Sequence, residues 1–262
     1  MSARPRLAQE AARLLRQRLE MGADELFLEG LSRAEALGLA TAARERDTGA
    51  RVRAPHSVSR AEARAPSPGR GPQATHELPA TYDEVRDTAL ACTRCRLAGS
   101  RTQVVFSDGA VDARLVVVGE APGAQEDATG LPFVGAAGQL LDLLLATVGL
   151  SRKDTAYICN VLKCRPPGNR NPQPDEIEAC APFLRRQIEL IQPEALLAVG
   201  TFAGQWLTGR QRPLGRLRGE VHSYQGVPVV VTYHPAALLR NPGWTRAFWD
   251  DLQLLRQVMD GA

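Results

Sequence analysis

The stretch Leu115-Val-Val-Val-Gly-Glu-Ala-Pro-Gly-Ala-Gln-Glu-Asp127 decides how the rest of the chain is read. A short, unbroken run of branched apolar residues stopped by glycine is the pattern of a strand buried on both faces. Gly119-Glu120-Ala121-Pro122-Gly123 then makes a tight turn that sets a carboxylate just past the strand's carboxyl end. In open α/β sheets that edge is where ligands bind. Three later segments repeat the arrangement. They are Ala156-Tyr-Ile-Cys-Asn160, Ala195-Leu-Leu-Ala-Val199 before Gly200, and Val227 to Thr232 before Tyr233-His234-Pro235.

Helical patterns fill the intervals. Leu140, Leu141, Leu144, Leu145 and Val148 share one face. Pro174 sits where helices favour proline, in the first turn of a segment reaching about Ile191. Its stripe is Ile177, Cys180, Ala181, Leu184, Ile188 and Ile191. A later helix carries Phe202, Trp206 and Leu207, and the last carries Phe248, Leu252 and Leu255. Strands alternating with helices predict an α/β fold, a three-layer αβα arrangement around a central four-stranded parallel sheet with right-handed crossovers.

That domain is expected over residues 81–262, opened by a short helix from Tyr82 to Ala91. Ahead of it, residues 1–46 read as a helical extension. Leu7, Ala11, Leu14, Leu15 and Leu19 share a face, and Ser32-Arg-Ala-Glu35 has the capping-box pattern. Residues 47–80 mix Pro55, Pro66, Pro68, Pro72 and Pro79 with Gly, Ser, Ala and Arg, the composition of a disordered linker. The helices of the extension could dock on the main domain or bind a partner.

The chain carries a net charge of +3 over its 262 residues. Residues 1–78 hold thirteen arginines against ten acidic residues, so the main domain is balanced and any basic surface on it is local. No apolar run approaches the roughly 18 residues needed to span a bilayer. The N-terminus lacks the apolar core of a signal peptide. A cytoplasmic monomer is expected, in which the five cysteines serve metal binding or catalysis rather than disulfides.

Cys159, inside a strand, reads as a small core residue. Cys92 and Cys95 form a Cys-x-x-Cys turn, with Cys164 and Cys180 far downstream. Such a pair can hold one face of a metal site that two distant thiolates complete, and both zinc and an iron–sulfur cluster fit four thiolates. At the strand ends, Glu120, Asn160 and His234 join Phe133 from the glycine-flanked loop Gly130-Leu-Pro-Phe-Val-Gly135. A carboxylate, an amide, an aromatic ring and an imidazole on one sheet edge can hold a flat heterocycle.

These motifs resemble the family 4 uracil-DNA glycosylases. The resemblance rests on Gly119 to Asp127, Leu131-Pro-Phe-Val-Gly135, Asn160-Val-Leu-Lys-Cys-Arg-Pro-Pro167 and His234-Pro-Ala-Ala-Leu-Leu-Arg-Asn-Pro242, and covers residues 81–260. It implies hydrolysis of the N-glycosidic bond of uracil flipped out of DNA, the start of base-excision repair. It further implies a [4Fe-4S] cluster on Cys92, Cys95, Cys164 and Cys180, which would order the Arg165–Asn171 loop. By the same resemblance Phe133 stacks on uracil, Asn160 reads its N3 and O4 edge, and His234 stabilises charge at O2. Glu120 sits by the catalytic water, and the Gly119 backbone beside it helps hold the base. Leu238, Leu239 and Arg240 form a wedge into the duplex. Lys163, Arg165, Arg170 and Arg240 are the cations expected to meet phosphates.

Three other readings compete. A related glycosylase could act on other deaminated bases or trap uracil through a histidine, but the basic His-containing loop of the covalent type is missing between Asn160 and His234. A non-enzymatic iron–sulfur DNA-binding module would have no use for both Glu120 and His234. A dinucleotide-dependent oxidoreductase would want Gly-x-Gly-x-x-Gly after the first strand, where this chain has Gly-Glu-Ala-Pro-Gly.

Overall fold

A computed structural model of the protein describes residues 78–261. The N-terminal extension and all but the last three residues of the linker therefore lie outside the described residues. The first described helix, α1 (Tyr82–Leu90), is closed by a capping box. The Thr81 hydroxyl accepts from the Glu84 amide, and the Glu84 carboxylate accepts from the Thr81 amide.

The remaining elements follow in order: β1 (Asp108–Gly109), β2 (Leu115–Gly119), α2 (Ala124–Thr129), α3 (Ala136–Ala146), β3 (Ala156–Asn160), α4 (Pro174–Ile191), β4 (Ala195–Val199), α5 (Thr201–Thr208), β5 (Val221–Tyr224), β6 (Val227–Thr232), α6 (Pro235–Arg240) and α7 (Thr245–Asp260). The sheet order is β1-β3-β2-β4-β6-β5. The four expected strands, β3, β2, β4 and β6, are mutually parallel and form its middle. The structure adds an antiparallel strand at each edge, β1 on β3 and β5 on β6.

Alternate residues of the central strands feed opposite faces, as the period of two requires. Leu115, Val117, Ile158, Leu197 and Val230 pack with Leu141 and Leu145 of α3 and Phe248, Leu252 and Leu255 of α7. Val116, Val118, Tyr157, Leu196 and Val231 pack on the other side with Leu184 and Ile188 of α4 and Ala203 and Leu207 of α5. All three layers are present. Full burial of each such side chain contributes about 1.5–3 kcal/mol. A third apolar cluster (Val85, Ala89, Leu97, Phe106, Leu162, Phe183) surrounds the cysteines. Among the described residues, no helix is long and apolar enough to cross a membrane.

The register sets the site. Gly119 lies opposite Asn160 at the ends of β2 and β3, and Thr232 ends β6 opposite Val199. The segments that follow these strands, Glu120–Gly123, Val161–Cys164 and Tyr233–His234, leave the sheet along one edge.

Candidate active site

Gly119, Phe133 and Asn160 outline a narrow slot. A β-carbon on Gly119 would collide with Asn160 Oδ1 and come within 2.6 Å of Phe133 Cζ, so only glycine lets these two side chains approach the strand end this closely. Asn160 is 2% exposed and its Oδ1 has no hydrogen-bond partner. Buried polar atoms are nearly always paired, and an orphaned acceptor at a strand end marks where a ligand's donor could be received. The ring of Phe133 lies 5.5 Å from that of His234, tilted by 27°.

Phe133 is held against its own preference. Its φ of +53° is left-handed backbone, an unfavourable region for an aromatic residue. Three contacts fix it. Glu126 Oε1 accepts from the amides of Val134 (3.0 Å) and Gly135 (3.1 Å), while its Oε2 accepts from Gly123 (3.1 Å), tying the two loops together. Gly138 lies so close to the Phe133 carbonyl that no β-carbon fits. Arg152 donates to the Pro132 and Phe133 carbonyls at 2.8 Å each. The spacing Gly123-x-x-Glu126 is a signal that could have found Glu126, since a glutamate three residues past a helix start reaches back to amides there. Arg152 has no such signature, because it acts on main-chain carbonyls.

His234 is half-buried, and its Nδ1 accepts from the Ala236 amide at 3.2 Å. Burial, helped by the nearby Arg240 charge, pushes its pKa down to about 4. The imidazole is therefore neutral at pH 7, with its proton on Nε2 available to a ligand. Burial raises the pKa of Glu120 above the usual glutamate value. The carbonyls of Gly119 and Glu120 accept from the amides of Val161 (2.9 Å) and Leu162 (3.0 Å), which locks the two strand extensions side by side.

A second pocket is lined by Cys92, Cys95, Cys164 and Cys180, with Arg101 and Lys163 among its walls. Arg101 donates to Cys164 Sγ at 3.4 Å, and the Lys163 amide donates to Cys180 Sγ at 3.3 Å. Burial pushes the Cys180 thiol up to about 12 and also raises Cys164. Thiolates there need a cationic centre beside them, so the donor set fits a metal or cluster. Among the described residues, no three His, Cys, Asp or Glu side chains are gathered tightly enough to hold a single metal ion. Cys159 is a buried core residue of β3.

Three expected DNA contacts are corrected. Lys163 is 2% exposed, with its ammonium donating to the Asn160 carbonyl at 2.7 Å, so it cannot meet a phosphate. Leu238 is also 2% exposed, inside the cluster under α3 and α7, whereas Leu239 is 49% exposed. Arg170 is bound to Glu176 at 2.9 and 2.5 Å and is committed to ordering the Arg165–Asn171 loop. Arg165 stays half-exposed, with Nε on Asn169, and Arg240 is exposed at the end of α6.

The pattern defining the Uracil DNA glycosylase superfamily matches residues 106–253, which takes in the slot and the four turns that lead from β2, β3, β4 and β6 into helices. The chain belongs to that superfamily. It is 46% identical over 159 residues to a Type-4 uracil-DNA glycosylase of Thermotoga maritima, covering 60% of this chain and 82% of that one. It is 40% identical over 186 residues to the Type-4 uracil-DNA glycosylase of Archaeoglobus fulgidus, covering 68% and 93%. A third Type-4 relative, from Pyrobaculum aerophilum, is 42% identical over 173 residues, covering 62% and 87%.

Proposed function

We propose that the protein excises uracil from DNA by hydrolysing its N-glycosidic bond, and that the slot at Gly119 receives the everted base. The observation that carries this reading is the unpaired, buried Asn160 Oδ1. It offers an acceptor to uracil N3–H, while the amide nitrogen offers a donor to O4. Cytosine presents an acceptor at N3 and a donor at its exocyclic amine, so the same amide is mismatched to it. Phe133 supplies the face on which the base stacks. Eversion costs a few kcal/mol, least in a weak pair, and the shaped pocket recovers it.

Bond cleavage sends the C1′–N1 electron pair to the base, leaving an oxocarbenium-like sugar and a uracil anion. Neutral His234, donating from Nε2 to O2, stabilises that anion; one preorganised donor of this kind contributes about 2.7–4 kcal/mol. Glu120 orients the water that attacks C1′ and takes its proton. Leu239 and Arg240, at the end of α6, enter the space the base leaves and meet the backbone beside it. Arg165 adds a phosphate contact. The glycosylase domain is assigned to residues 81–262, beginning at the capped start of α1.

Cys92, Cys95, Cys164 and Cys180 hold a [4Fe-4S] cluster on this reading. A tetrahedral zinc with bonds of about 2.3 Å would draw the four sulfurs close to one point. A four-iron cluster takes one thiolate per iron, and four thiols from separate segments line this one pocket. The cluster supplies a staple between the start of the domain and the loop that follows Asn160.

The test is incubation with matched strands carrying one uracil or one thymine, followed by alkaline cleavage. Abasic sites at uracil alone support the reading, and intact uracil strands overturn it.

A further inference from the structure

The imidazole of His234 accepts its hydrogen bond from the Ala236 amide, two residues on, which fixes the ring within its own turn and not against the sheet. Its main-chain neighbours run two ways. The Thr232 carbonyl, at the end of β6, accepts from Gly200 at 2.9 Å, and Ala237 of α6 donates to the His234 carbonyl at 2.8 Å. Tyr233 lies between the strand and the helix, and its ring ties the junction to two other segments.

That ring stacks on Trp244 at 4.7 Å and 16°, and the guanidinium of Arg218 lies over it at 4.2 Å. Tyr233 and Trp244 stand just outside the two ends of residues 234–243, the segment that carries His234, Leu239 and Arg240. The stack therefore closes this segment into a loop. Arg218, from the stretch between α5 and β5, fastens the closed loop to α7: its Nε donates to Asp251 Oδ2 at 2.7 Å and its Nη2 to the Ala247 carbonyl at 2.6 Å. Asp251 is buried, so the ion pair is sheltered from solvent. A planar guanidinium can lie flat on a ring while its edge bonds a carboxylate and a carbonyl; an ammonium cannot do both. Cation–π attraction also strengthens where water is excluded.

We infer that Tyr233, clasped by Arg218 and Trp244, is a positioning residue that sets where the His234 imidazole stands relative to the slot. The clasp touches neither base nor sugar; it acts through the neighbouring peptide. A preorganised donor works only while it is held in place, and a displacement of about 1 Å can cost about 100-fold in rate. This inference rests on His234 being the donor to uracil O2.

The test is a double-mutant cycle between Tyr233 and His234 in the full-length protein, read as single-turnover excision from a single-stranded uracil oligonucleotide, with folding followed by circular dichroism. Single strands need no wedge, so the rate reports the imidazole. Tyr233→Leu should slow excision roughly 10- to 100-fold, and Tyr233→Phe, which keeps the stack, should restore the wild-type rate. Tyr233→Leu combined with His234→Ala should be no slower than His234→Ala alone, because a displaced donor and a missing one are the same loss. A wild-type rate in Tyr233→Leu would overturn the inference, as would losses that multiply in the double variant or a phenylalanine variant as slow as the leucine one. If Tyr233→Leu does not fold, Trp244→Leu takes its place in the cycle. Failure of both to fold also overturns the inference, since the stack would then hold the domain and not the imidazole. A wild-type rate in His234→Ala would instead defeat the reading of His234 as the donor.

Discussion

Arg152 and Phe133 are locked together through the main chain: the guanidinium donates to the Phe133 carbonyl at 2.8 Å and to the preceding carbonyl of Pro132 at the same distance. Asp108 (2.9 Å) and Asp142 (3.0 Å) hold the guanidinium in turn. Arg152 is thus one of the three contacts that hold the strained turn presenting the stacking ring. Arg152→Ala should lower kcat/KM for uracil excision by roughly 10- to 100-fold, since hydrogen bonds to charged donors contribute about 1.5–3 kcal/mol each. Lysine at this position should restore part of it. Single-turnover assays check this, and a wild-type rate in the alanine variant would show that the turn holds itself.

Gly119→Ala should abolish excision while the domain stays folded, because the added methyl drives into Asn160 Oδ1 and the Phe133 ring at the end of β2 and displaces both. Circular dichroism and an excision assay on the same preparation separate the two effects. An active Gly119→Ala protein would place the base elsewhere.

The two leucines of α6 should behave oppositely. Leu238→Ala removes a core side chain and should cost about 2–5 kcal/mol of stability. Leu239→Ala should leave denaturant unfolding unchanged and slow excision from duplex DNA more than from single strands, which need no wedge. Equal effects of the two would deny α6 its role at the duplex.

The central strands were legible because burial on both faces leaves continuous apolar runs with glycine or a polar residue at each end, as in Leu115–Gly119 and Ala156–Asn160. The edge strands were not. Asp108–Gly109 is too short to carry a period, and Val221–Tyr224 pairs on one side alone. The slot residues could be named from their motifs, but the side of α6 on which Leu238 lies depends on packing against α3 and α7. Lys163 departs from its expected place at the DNA for a related reason. Its charge suggests solvent, and only the fold shows a buried partner in the Asn160 carbonyl.

The pH dependence should lack an inflection near 6.5. Burial holds the His234 pKa at about 4, so the imidazole stays neutral across the working range. The folded-state pKa lies below the usual histidine value, so the unfolded chain binds the extra proton. The stability due to the neutral ring is thus complete above about pH 6.5 and declines as pH falls toward 4. The acid limb of kcat/KM belongs to Glu120, raised by burial, and should vanish from the residual activity of Glu120→Gln. A limb that persists in that variant would assign it to another group.

The account depends above all on a neutral imidazole donor easing the departure of uracil as an anion. Its most direct test is the single-turnover excision rate of His234→Ala at saturating enzyme, with DNA affinity measured alongside. The rate should fall about 100- to 1,000-fold, the loss of one preorganised donor, with affinity unchanged. An unaltered rate would contradict it.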